Sequence, residues 1–154
     1  MSASFLLPIL IAVVLNIIIG ALWYSPLMFQ KIWLKENGFK KGEPIAHSLP
    51  SALIATIVSS TLTSAILLYY LELVRMSIQQ PSGYGHVLIM VANGQFFTVK
   101  TVVSRIFTLW LAFVFAIRLS HHMFERRSWA MFWIVSIHDL VSMMVIGLTF
   151  YFWR

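Results

Sequence analysis

The feature that most constrains this chain is where its charges are absent. Residues 5–29 carry none, 48–71 none, 106–117 none, and 128–153 only Asp139. Three of these four blocks exceed the roughly 20 residues that an α-helix needs to cross about 30 Å of hydrocarbon. The third reaches spanning length if it runs from about residue 104 to 124 with Arg118 inside it. The spacing therefore predicts an all-α fold: a four-transmembrane-helix bundle with helices at about 5–29, 49–71, 104–124 and 129–152. These form a single membrane-embedded domain over 1–154. Composition agrees, with 60% hydrophobic and 10% charged residues against about 45–50% and 25% in a soluble domain.

Charge and cysteine content narrow the partners. A net charge of +6 would suggest nucleic acid in a soluble protein. Here the basic residues sit in the gaps between apolar blocks, so anionic lipid headgroups are the expected partner and nucleic acid is not. The chain has no cysteine, which excludes disulfides and thiolate metal sites. The first block lacks a basic leader and is longer than a signal peptide's apolar core, so it reads as a retained helix.

Each block ends in a recognisable way. GALWYSPLMFQKIW, residues 20–33, closes the first with Trp23, Tyr24 and Pro26, then Lys31, Trp33 and Lys35. Aromatic rings with a polar edge favour the membrane interface, so Trp23, Tyr24 and Trp33 are expected as interfacial anchors and Lys31 as a headgroup contact. Pro26 is expected to kink the last turn, and residues 31–47 to form a polar loop. The second block carries Ala52, Thr56, Ser60 and Ser64 at every fourth position, beside Ala55, Ser59 and Thr63. Such small residues permit close helix approach, so this helix is expected at the bundle centre as the most buried of the four. QQPSGYG at 79–85 reads as a turn. HVLIMVANGQFF at 86–97 is too short to span, so it reads as an interfacial segment or as the amphipathic start of the third helix, and the longer connection between the second and third helices as partly interfacial. In the third helix Arg118, His121, His122 and Glu125 share one face by their i, i+3, i+4, i+7 spacing. Arg118, Arg126 and Arg127 are expected among the headgroups.

With four spans, loops 1 and 3 share one side. That side holds Lys31, Lys35, Lys40, Lys41, Arg126 and Arg127, and the other fewer basic residues, so loops 1 and 3 are expected on the cytoplasmic or equivalent organellar face.

GALWYSPLMFQKIW at the end of the first helix, WLAF at 110–113, FERRSW at 124–129 and HDLVSMMVIG in the last helix resemble the DUF1761 family of small membrane proteins. In that family a glycine-led LWYSP-type motif closes the first helix and an aromatic-Glu-x-Arg turn joins the last two. The resemblance touches the first, third and fourth helices, while residues 36–100 carry almost none of it. It implies the architecture and brings no activity with it. Arg118, His121 and His122 depart from the family pattern, which is more neutral there.

An ionisable residue inside a bilayer is a functional candidate by default. Asp139 lies about 18 Å into the membrane from Arg127 at 1.5 Å per residue. Asn16, Ser60 or Thr61, and His138 lie at similar depth, giving a candidate midplane polar layer. In one reading the layer fixes helix register through hydrogen bonds; in the other the His138–Asp139 pair relays protons or cations. Adjacent helical residues diverge by about 100°, which opposes both facing one narrow path. Arg118 falls some five residues short of Asp139 in depth, so snorkelling is preferred to pairing. A structural Asp139 is expected to tolerate replacement by Asn.

No HExxH, GxSxG or Gly-rich phosphate loop occurs, and neither cofactor nor metal is expected. The expectation is a non-enzymatic protein acting through helix association, as a homo-oligomer or as an accessory subunit of a larger membrane complex. The alternative is a small oligomeric channel or proton-coupled transporter built on the midplane layer.

Overall fold

A computed structural model describes residues 3–39, 49–79, 98–125 and 128–153. Its elements are α1 (Ala3–Trp23), α2 (Gln30–Glu36), α3 (Leu49–Gln79), α4 (Val99–Leu109), a π-helical segment (Trp110–Phe115), α5 (Ala116–Glu125) and α6 (Trp129–Phe152). Among the described residues there is no strand. The third span is the continuous run of α4, the π segment and α5. Four helices are long and apolar enough to cross a membrane, consistent with a multi-pass membrane protein.

Several ends differ from the sequence reading. The first helix stops at Trp23 rather than near Phe29. Pro26 has no N–H to give the Leu22 carbonyl four residues back. Ser25 supplies the missing bond: its hydroxyl donates to that carbonyl at 2.7 Å and its own N–H at 3.1 Å. The chain then turns, and α2 forms where a polar loop was expected. α2 ends in a Schellman arrangement, with Gly38 N–H on the Lys35 carbonyl and Phe39 N–H on the Leu34 carbonyl, both at 3.1 Å. Gly38 adopts φ +73°, which the motif requires and glycine accepts without strain. α3 continues eight residues past Leu71, its extension carrying a Glu72–Arg75 ion pair at 3.3 Å. α4 starts earlier than expected, because the Thr98 side chain accepts the Thr101 N–H and caps the helix. Ser128 caps α6 in the same way through Met131. The segment 86–97, together with Lys40, Lys41, Arg126 and Arg127, lies outside the described residues.

The spans pack antiparallel in chain order. Asn37 of the α1–α3 connection reaches the Met131 sulfur at 3.7 Å, so that connection and the start of α6 share one end of the bundle. At the opposite end Ile9, Ala12, Val13, Leu67, Leu68, Leu71, Val102, Ile106, Ile146 and Phe150 form the core. Gly147 lets α4 approach closely, since a Cβ there would lie 2.0 Å from Ile106 Cδ1.

The helix at the centre is α6, not α3. Buried residues make up 39% of the α6 span and 22% of the α3 span. α3 packs on α1 and α6 while Ala55, Thr56, Ser59 and Thr63 stay exposed. Small residues allow close approach without compelling it: Ser60 and Ser64 are buried, while Thr56, Ser59 and Thr63 border a cavity.

A polar cavity between the spans

The cavity has a volume of about 650 Å³ and takes its walls from all four spans. α1 contributes Asn16 and Gly20, and the turn after it Tyr24; α3 contributes Thr56, Ser60 and Thr63; the third span contributes Val114 and Arg118; and α6 contributes His138, Asp139 and Ser142. On every span the apolar core lies on the far side of these residues: Ile9–Val13 before Asn16, Leu67–Leu71 after Ser60, Val102 and Ile106 before Val114, Phe150 after Ser142. The polar volume is thus backed by an apolar plug.

The residues expected at the midplane divide. Asn16 Nδ2 donates to Ser60 Oγ at 2.7 Å, and Ser60 is buried. Thr61, the alternative to Ser60, points away, its hydroxyl donating to the Ile57 carbonyl at 2.7 Å. It lines an apolar groove with Leu6 and Leu10 instead. His138 and Asp139 both border the cavity, and His138 Nδ1 lies 3.4 Å from Asp139 Oδ1. The 100° divergence argued against this; the space is wide enough for neighbouring side chains to lean into it together.

Arg118 also differs from expectation: its guanidinium forms a salt bridge with Asp139. The depth argument assumed regular α-helix throughout, and the π segment breaks that assumption. Val102, Ile106 and Trp110 are buried at spacing four, and a regular helix would continue that face through positions near Phe113 and Ile117. Those two are 66% and 52% exposed. The wider π turn takes up one extra residue, so Arg118 and His122 inherit the inner face. His122 is 7% exposed and packs on Trp129 and Phe132, with ring centroids 4.4 and 5.2 Å away. His121, placed on the same face by periodicity, is exposed.

The aromatic residues of the opening motif make contacts within the protein. Trp23 Nε1–H donates to the Ile134 carbonyl at 3.1 Å. Tyr24 lies between His138 and Trp33, with centroids 5.2 and 5.6 Å away. Trp33 stacks on Phe39, and Lys31 is exposed. Trp110, which sequence reasoning did not single out, donates from Nε1 to the Ser136 carbonyl at 2.9 Å. Two indoles thus hold α6 by its backbone. Tyr24 is the first residue past the first apolar span. Its phenol is pushed up to about 12, chiefly by burial and further by the Asp139 carboxylate, against a lowering effect of Arg118. The phenol therefore remains a hydrogen-bond donor at neutral pH.

Among the described residues, three buried polar atoms on the cavity residues have no hydrogen-bond partner: Asn16 Oδ1, His138 Nε2 and Ser142 Oγ. Buried polar groups ordinarily have one, so these three atoms are unsatisfied groups set within the residues that form the cavity wall. Among the described residues no three His, Asp or Glu side chains converge as a metal site would require.

Neither a curated protein nor a solved structure matches the chain. The model of the family described as "Protein of unknown function (DUF1761)" matches residues 7–151. With nearly the whole sequence covered, the chain belongs to the DUF1761 family.

Proposed function

We propose that this protein is a non-enzymatic, membrane-embedded solute-binding protein of the transporter kind, and that the cavity around Arg118 and Asp139 is its working part. One observation carries the reading: of the buried side-chain polar atoms that lack a hydrogen-bond partner among the described residues, three, Asn16 Oδ1, His138 Nε2 and Ser142 Oγ, belong to residues bordering the same 650 Å³ volume, while Ser64 Oγ and Ser136 Oγ lie outside it. A polar layer serving only helix register would satisfy its members with one another. The apolar plug favours a blind pocket over a continuous channel. Access is from the end that carries the α1–α3 connection and the start of α6, which the distribution of basic residues assigns to the cytoplasmic or equivalent organellar face.

The natural absence of cysteine makes the test direct. Single substitutions Thr63→Cys in the cavity and Val13→Cys in the plug are exposed to a membrane-impermeant thiol reagent in oriented vesicles. The cavity position is expected to label from the α2 side only, and the plug position from neither. No labelling at Thr63→Cys would mean that the layer is dry and structural; labelling from both sides would mean a channel.

Helix association is the second reading, and the exposure of Ala55, Thr56, Ser59 and Thr63 on α3 favours it. A second copy or another membrane chain packed there would close the open wall of the cavity. The mass of the detergent-purified particle decides this, with a monomer counting against it.

A further inference from the structure

The ion pair sits where the bundle keeps open space, and charge balance restricts what can enter beside it. Arg118 and Asp139 together are neutral. In a low-dielectric site, a solute with a single charge would take one partner and leave the other uncompensated. An uncharged solute would leave the pair closed and reach only the surrounding hydroxyls and amide. A solute carrying both charges can take both partners together, its carboxylate on the guanidinium fork and its ammonium on the Asp139 carboxylate. No stage of that exchange creates a net charge.

The remaining furniture suits such a guest. Ser142 is 7% exposed and its hydroxyl has no partner among the described residues. Asn16, Ser60 and His138 stand on the same wall as polar side chains. Gly20 presents no side chain opposite that imidazole nitrogen. The volume of about 650 Å³ lies within the range of small-molecule sites. Stability alone does not account for the pair, since an ion pair with one partner 41% exposed contributes little. We infer that the cavity binds a small zwitterion of the amino-acid type, with Arg118 holding its carboxylate and Asp139 its ammonium. This rests on the solute-binding reading above and names the solute class.

Thermal unfolding of the purified full chain tests it, with glycine, β-alanine and γ-aminobutyrate as probes and acetate, methylammonium and glycerol as controls. At about 100 times its Kd, at least one zwitterion is expected to raise the Tm by roughly 5 °C. The controls are expected to have no comparable effect. The double substitution Arg118→Gln/Asp139→Asn, neutral like the native pair, is expected to lose the rise. The same zwitterion should slow labelling of Thr63→Cys in a cavity that keeps its native charges. An equal rise with glycerol or acetate overturns the inference, as does a rise that survives the double substitution, or none with any of the three zwitterions. If Thr63→Cys labels from one side yet no zwitterion acts, the solute-binding reading stands and only the solute class falls; if it does not label, both fall.

Discussion

At the scale of single residues, the structure makes two positions sharper than the sequence does. Gly147 reads as an ordinary small residue in an apolar helix, but a methyl group there meets Ile106 Cδ1 at 2.0 Å and Cγ1 at 3.3 Å. Gly147→Ala is expected to destabilise by about 1–3 kcal/mol through overpacking. Ile106→Val removes the closest carbon and should restore part of the loss; additive losses in the double substitution would show that the contact is not the cause. Asp139 was legible as the one acid inside an apolar block, and the sequence favoured tolerance of Asn. The salt bridge reverses that expectation. Asp139→Asn leaves the guanidinium without its counter-charge, and a loss of about 1–3 kcal/mol is expected. Breaking a fully buried pair costs more, but the Arg118 side chain is 41% exposed. Adding Arg118→Gln should recover most of the loss, whereas an unchanged melting temperature in Asp139→Asn alone would show the pair to be idle.

Among the elements, the π segment has the largest effect for its length. Removing Phe113, which is 66% exposed, should turn the segment into regular α-helix while leaving Arg118 and His122 in phase with Trp110. The shortened chain is expected to fold and to retain the Arg118–Asp139 coupling in a double-mutant cycle. Inserting an alanine after Ala116 should instead swing Arg118 out by about 100° and reproduce the loss seen in Arg118→Gln. Coupling lost in the deletion and kept in the insertion would contradict this account of the register. Nothing in WLAFVF marks a π turn locally, because each of its residues suits an apolar α-helix; the pairing of Arg118 was therefore hidden from any argument based on α-helical depth. The end of α1 was more accessible. Pro26 was visible, but the aid of Ser25 to the Leu22 carbonyl follows only from counting which acceptor the proline orphans. The Thr98 and Ser128 caps likewise stand openly in the sequence.

For the molecule as a whole, the four spans were legible because uncharged runs of membrane length admit few alternatives. The order of burial was not, since small residues on α3 fit a helix interface and a cavity wall equally well. The separation of polar volume from apolar plug carries a prediction of its own. Ile146 borders the cavity and also belongs to the core, so Ile146→Ala should breach the plug, and the buried Val13→Cys should then label from the α2 side. Continued protection there would place the seal deeper, around Phe150. The central position of α6 has a further consequence in biosynthesis. α1, α2, α3 and α4 all pack on α6, yet it is the last of the four spans to be translated. Until it arrives, the third span must enter the bilayer with Arg118 lacking its carboxylate, and both indoles, Trp23 and Trp110, lack their carbonyls. A nascent chain halted at Ser128 should thus hold its third span only loosely in the membrane, extractable by alkali, and extension through Phe152 should fix it; equal resistance at both lengths would show that insertion does not wait for the final helix.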